Sequence, residues 1–308
     1  MSETVSGTGW LALLRQHMQR HPFLSASLGC GLLALLLLLS QGFMLESWSN
    51  ASPGLRLATL GGLAGFATTS LGALPALALR GIPQKLEDSL LGFAAGMMLA
   101  ASSFSLLLPG LDAAGGIVGS KSLGSAVVVS GMALGVLLML GLDQFIPHEH
   151  EKGGPCGPGH ERCSRVWLFV FAIALHNLPE GMAIGVSFSQ ANMAVGLPLT
   201  TAIALQDIPE GLAVALALRG AGFRAIAAVL VAVASGILEP VGALLGVGLS
   251  SGLPLAYPVG LGLAAGAMIF VVSHEVIPET HRNGHQTPAT LGLMVGFALM
   301  MVLDTALG

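Results

Sequence analysis

Nine apolar stretches, each about 20 residues or longer, follow one another along this chain with short breaks between them. They lie near 23–45, 55–79, 86–109, 123–146, 166–189, 196–218, 225–249, 255–280 and 288–307. A run of that length is what a helix needs to cross a hydrocarbon core of about 30 Å. Lipid offers backbone groups no partners, so only helices and closed barrels span it. Barrel strands would show alternating polarity in segments of about ten residues, and no such alternation occurs. Charged residues make up 9% of the chain and mean hydropathy is +0.81, whereas soluble domains carry about 25% charged residues. The 43 glycines point to helices whose backbones approach closely in the bilayer. The expected fold is all-α: a polytopic membrane helix bundle, one domain with nearly all its mass embedded.

The basic residues orient it. With the N-terminus in the cytoplasm, ten of them (Arg15, Arg20, Arg80, Lys85, Lys152, Arg162, Arg165, Arg219, Arg224 and Arg282) fall inside, and two (Arg56 and Lys121) fall outside. That asymmetry satisfies the positive-inside rule and puts the C-terminus outside. Residues 1–22 form a cytoplasmic segment, and 23–45 read as a retained peripheral transmembrane helix, too long for a signal peptide. Of the three cysteines, Cys156 and Cys163 lie in the loop assigned to the reducing side, where structural disulfides are rare, and Cys30 lies in the first span.

The chain also repeats itself. "HNLPEGMAIG" (176–185) returns 30 positions later as "QDIPEGLAVA" (206–215), on adjacent spans. "LGFAAGMMLAASS" (91–103) matches "LGLAAGAMIFVVS" (261–273) at seven of thirteen positions, in the third and eighth of the nine spans. An odd number of crossings separates the members of each pair, so both repeats are inverted in topology, an arrangement from which secondary transporters build midplane sites.

The first repeat carries the chemistry. His176, Asn177 and Glu180 project from one helical face, and Gln206, Asp207 and Glu210 do so from the next helix. Pro179 and Pro209 crowd the carbonyls of Leu175 and Leu205, which become candidate oxygen ligands. Glu239, before Pro240, adds a fourth acid. Each intramembrane carboxylate costs on the order of 3 kcal/mol, so four cost about 12 kcal/mol, and no Lys or Arg lies near the centre of these helices. Two divalent cations would balance four carboxylates, with Glu180 and Glu210 bridging. Mixed nitrogen and oxygen ligands suit Zn²⁺ and its neighbours better than Cu⁺.

These residues resemble a known family. "HNLPEG" followed by "QDIPEG" is similar to the signature of the ZIP (Zrt/Irt-like) metal transporters, in their short-looped bacterial branch, over residues 55 to the C-terminus. The resemblance implies an eight-helix core at 55–308, with the N-terminal helix as an extra span. It also implies an intramembrane binuclear centre, import of divalent metal into the cytoplasm without ATP, and an elevator-like sliding motion. One metal would be held by His176, Glu180, Gln206 and Glu210 with Met98, the other by Asn177, Glu180, Asp207, Glu210 and Glu239.

Asp112 follows the span that Pro109 is expected to end, and Asp304 lies near the outer end of the last span; both are entrance candidates. On the inner side, Asp143, His274 and Glu275 make an exit-side station, with Glu279, His281 and His285 further along a proline-broken helix. The loop at 147–165 supplies His148, His150 and His160 among Gly and Pro, either as a solvated linker or as a metal-capturing segment. The expected cargo is Zn²⁺, with Cd²⁺, Fe²⁺ and Mn²⁺ as alternatives. No organic cofactor and no nucleic acid are expected, and the partners are the bilayer and a second copy of the chain in a homodimer. The rival class is an intramembrane metal-dependent hydrolase. "HEVIPETH" spaces its histidines seven apart, unlike the His-Glu-x-x-His of zinc proteases. An ATP-driven pump is excluded by the absence of a GxxxxGK[ST] run and of any nucleotide-sized loop.

Overall fold

The computed structural model describes residues 52–145, 148–150, 154–156, 165–250 and 252–307, and between 143 and 175 only the backbone course. The helices are α1 Pro53–Ala73, closed by a 3₁₀ turn Leu74–Leu77, then α2 Gln84–Ala101, α3 Leu108–Val118 and α4 Lys121–Phe145. After a short antiparallel ribbon, β1 His148–His150 with β2 Gly154–Cys156, come α5 Arg165–Phe188 and α6 Met193–Gly220. The last are α7 Ala225–Gly236, α8 Leu238–Ser250, α9 Ala256–Val271, α10 Ile277–His281 and α11 Gln286–Leu307. Seven helical spans among the described residues are long and apolar enough to cross a bilayer. The 24-residue α5, at about 1.5 Å per residue, is an eighth by length. The expected first span at 23–45 and its N-terminal segment lie outside the described residues.

Two expected breaks are corrected. The span expected to stop at Pro109 runs on to Val118, and the helix expected to break near Pro278 continues to His281. In both cases a π-turn precedes the proline: Ser102–Leu107 joins α2 to α3, and Val272–Val276 joins α9 to α10. Leu108 N–H donates to Ser103 O, and Ile277 N–H to Val272 O, five residues back in each case. The wider turn shifts the ladder just where a proline lacks its donor and crowds an earlier carbonyl. Each proline stands two residues beyond its π-turn, so the 91–103 and 261–273 repeat carries the same local distortion twice.

A third break was not anticipated. The span 225–249 divides at Ile237, and Glu239 and Pro240 occupy the first turn of α8. Backbone donors are unpaired there anyway, so proline is tolerated.

Glycine pairs select which helices touch. On α5, a side chain at Gly181 or Gly185 would strike the carbonyls of Glu239 and Ala243 on α8; Gly242 and Gly246 face α5 in return. Gly92 and Gly96 on α2 meet Gly292 and Gly296 on α11 in the same reciprocal way, as do Gly131 and Gly135 on α4 with Gly262 and Gly266 on α9. All three are small-xxx-small crossings, which bring backbones into direct contact where lipid supplies no hydrophobic drive for association. In the α1–α6 pair, Gly72 and Gly211 lie against the carbonyls of Ile208 and Thr69. Residues such as Leu60, Leu123, Ile226, Leu230 and Leu291 are exposed, as befits helix faces that meet lipid.

Candidate metal centre

Four helices supply the polar side chains at the heart of the bundle. α5 carries His176, Asn177 and Glu180, α6 carries Gln206, Asp207 and Glu210, α8 carries Glu239, and α1 faces them with Thr68, Thr69 and Gly65. Pro179 lies inside α5, and Pro198 and Pro209 inside α6, so both repeats keep their helices through the motif. The i, i+4 spacing of His176 with Glu180, and of Gln206 with Glu210, then puts each pair on one face. All seven polar residues are buried, with exposures of 0–5%.

One ligand atom each from Glu180, Asp207 and Glu210 lies within 4.8 Å of the others. Glu239 is close by: a Cβ on Gly65 would meet Glu239 Oε2 and lie 3.3 Å from Asp207 Oδ2. Gly65 is therefore an absence that makes room for two carboxylates. Gln206 Nε2 donates to Glu180 Oε1, and His176 Nδ1 stands 3.5 Å from Glu210 Oε1. Thr69 Oγ1 donates to Glu239 Oε1 at 2.6 Å, and Thr68 Oγ1 lies 3.3 Å from Asp207 Oδ2.

Those contacts leave much unmet. His176 Nε2, Asn177 Nδ2, Glu180 Oε2, Gln206 Oε1, Glu210 Oε1 and Glu239 Oε2 are buried without a hydrogen-bond partner. Native interiors hold few such atoms, and each carries a desolvation penalty of about 1–3 kcal/mol or more when charged. Here they share one cluster, and five of the six atoms are an oxygen or ring nitrogen of the kind that binds divalent metal. A cation among them would satisfy the lone pairs and offset the charge together.

The other expected residues are placed as follows. Met98 is 1% exposed and belongs to the main apolar core with Ala183 and Ile184. Asp112 sits on α3, within the helix and not beyond its end, and is exposed. Asp304, half-buried on α11, accepts from Ser105 Oγ at 2.6 Å, a bond that ties the last helix to the π-turn after α2. His274 and Glu275 occupy the second π-turn, where the His274 ring lies 4.9 Å from that of Phe270. Asp143 is in the last turn of α4, though its side chain lies outside the described residues, as does His160 altogether. His148 and His150 are on β1, whose backbone pairs His148 with Cys156.

Two features escaped the sequence reading. Thr68, Thr69 and Gly65 border the acids from α1; a polar "TTS" inside an apolar span was their only signal. Asp88, 1% exposed, accepts from Gln84 and Asn283 on Oδ1 and pairs with His285 Nδ1 at 2.7 Å on Oδ2. It fastens the start of α2 to the α10–α11 turn, and nothing in its sequence neighbourhood marks it.

A multi-pass all-α membrane bundle with a buried cluster of acidic and neutral metal-type ligands defines a class of integral membrane proteins built around an intramembrane cation site. The ZIP Zinc transporter family profile matches residues 148–304. The chain is 64% identical over 290 residues to "Zinc transporter ZIPB" of Bordetella bronchiseptica, covering 94% of each chain. It is 44% identical over 249 residues to "Zinc transporter GufA" of Myxococcus xanthus, covering 80% of this chain and 96% of that one. With human "Zinc transporter ZIP11" it shares 30% identity over 335 residues, covering 82% and 97%. The chain belongs to the ZIP zinc transporter family, in its bacterial branch.

Proposed function

We propose that this protein carries Zn²⁺ and chemically similar divalent cations across the bacterial inner membrane into the cytoplasm, through a binuclear site within the bundle. The observation that carries this reading is the convergence of six unpartnered, buried polar atoms on three helices inside the bundle. Metal is the cargo here. One ion is held by His176, Glu180, Gln206 and Glu210, with Met98 as a soft neighbour; the other is held by Asn177, Glu180, Asp207, Glu210 and Glu239. Glu180 and Glu210 are shared. Support for the sharing comes from the mutual approach of the Glu180, Asp207 and Glu210 oxygens. A transporter, not an enzyme, is what family membership makes of this chain.

The N-terminus lies in the cytoplasm and the C-terminus outside, supported by the ten-to-two distribution of basic residues. Transport proceeds by alternating access. Multidentate binding at the midplane is too tight for channel-like conduction, which needs weak or successive sites. The glycine-lined contacts that let backbones touch also give smooth faces along which one group of helices slides past another. The twin π-turns support reading α2–α3 and α9–α10 as inverted counterparts. Asp112 and Asp304 draw cations to the entrance, and Asp143, His274 and Glu275 receive them on the inner side.

Uptake of Zn²⁺, Cd²⁺, Fe²⁺ and Mn²⁺ into proteoliposomes at two pH values tests the assignment. Saturable Zn²⁺ entry without ATP is expected. Reversible cysteine cross-links between α5 and a neighbouring helix should stop uptake until reduced. Undiminished transport in the cross-linked protein would refute alternating access, and no metal entry at all would refute the function.

A further inference from the structure

Hydroxyls on membrane helices usually fold back onto their own backbone, donating to the carbonyl three or four residues earlier. On α1, Thr59 donates to Leu55 O, Ser70 to Phe66 O, and Thr68 has Gly65 O at 2.8 Å. Thr69 departs from this habit. Its hydrogen bond crosses to α8, where Oγ1 donates to Glu239 Oε1 at 2.6 Å.

Its surroundings hold it in that orientation. Thr69 is 2% exposed. A Cβ on Gly236 of α7 would lie 3.2 Å from both Cβ and Cγ2 of Thr69. The Thr69 carbonyl lies against Gly211 of α6, one residue beyond Glu210. Gly236 therefore leaves the space that the Thr69 side chain fills, and Gly211 lets the α1 backbone approach α6 at the same residue. A threonine has one hydroxyl proton, and here it is spent on the carboxylate. Glu239 Oε1 is engaged, while Oε2 has no partner and lies on the Gly65 side, next to Asp207.

We infer that Thr69 is a positioning residue for one of the two metal positions: its hydroxyl fixes the Glu239 carboxylate so that Oε2 is the oxygen presented to the metal shared with Asp207. The inference rests on the two-metal reading above and adds to it a residue outside the ligand set. Outer hydrogen bonds that orient a ligand commonly alter metal affinity by about 10–100-fold when lost. Glu239 serves only the position that also uses Asn177 and Asp207. Loss of the hydroxyl therefore acts on one ion and spares the other, which a general loosening of the bundle would not do.

The test is Cd²⁺ titration of the purified full chain in detergent, by calorimetry with bound metal counted by mass spectrometry. The variants are Thr69→Val, which keeps the shape and removes the hydroxyl, Thr69→Ser, which keeps the hydroxyl, and Thr69→Ala. The alanine variant covers the case in which a valine methyl against Glu239 prevents folding. The wild type is expected to bind two ions. In Thr69→Val and Thr69→Ala one of the two should weaken about tenfold or more, with the other unchanged. Thr69→Ser should restore both. Two ions bound at wild-type affinity by the valine and alanine variants would overturn the role of Thr69 and leave the two-metal site standing. So would equal weakening of both ions, or a serine variant as impaired as alanine, since those results indicate packing. A wild type that binds fewer than two ions would instead overturn the binuclear reading itself, and the role of Thr69 with it.

Discussion

Replacing Glu180 by glutamine probes the reason for keeping acids in oil. The change preserves side-chain length and leaves a carbonyl oxygen for Gln206 Nε2 to donate to, so packing is almost untouched. The charge changes. The ligand oxygens of Glu180, Asp207 and Glu210 lie within 4.8 Å of one another, where two unit charges interact by about 3.5 kcal/mol at an effective dielectric of about 20. Repulsion among the acids is present with and without metal and drops out of the loading equilibrium, so the substitution costs what losing one partner of a buried charge pair costs, about 3–5 kcal/mol. That corresponds to about a hundredfold or more in loading of the site. Asn177 is neutral and serves one ion, so Asn177→Ala should remove about 1 kcal/mol, several-fold in loading. Asp207→Asn should fall between, because its charge acts at close range on one ion only. Initial rates of Zn²⁺ uptake, at subsaturating metal in proteoliposomes with an enclosed zinc dye, give this order directly. Glu180→Gln and Glu210→Gln should be the most impaired, then Asp207→Asn, then Asn177→Ala. Equal losses in all four would refute the bridged, charge-balanced arrangement.

Three further outcomes are expected. Gly185→Leu forces a side chain into the Ala243 carbonyl on α8 and should lower unfolding stability by about 1–3 kcal/mol; Gly81→Ala, with open space around it, should change nothing, and matching melting curves for the two would count against glycine-directed packing. Asp304→Asn should raise KM for Zn²⁺ with Vmax nearly unchanged, the difference shrinking at high ionic strength as screening shortens the reach of its charge; a KM insensitive to salt in both proteins would remove Asp304 from the entrance. His285→Ala strips Asp88 Oδ2 of its 2.7 Å partner and should reduce thermal stability by about 1–2 kcal/mol without altering Cd²⁺ stoichiometry, as calorimetry would show.

Much of this protein could be read along one dimension, because lipid enforces a simple rule: a backbone crossing it must be helical, and a charge within it must have a reason. Helix positions, the doubled Pro-Glu-Gly motif and the acids at 180, 207, 210 and 239 all follow from that rule. Other properties depend on atoms distant in sequence. Proline at 109 and 278 reads as a stop, since sequence registers the lost donor but not the π-turn that absorbs it. The 43 glycines announce close contact without naming partners. Only the packed bundle shows that 181 and 185 belong with 242 and 246, because complementarity is a property of two surfaces together. Thr69 looks like any helical threonine until α8 brings Glu239 within 2.6 Å of it. Asp88 looks like a solvated acid near the start of a helix until the α10–α11 turn closes over it with His285 and Asn283. Ligand types are local and so can be read from the sequence, whereas the hydrogen bonds and voids that aim them come from other helices and exist only once the chain has folded.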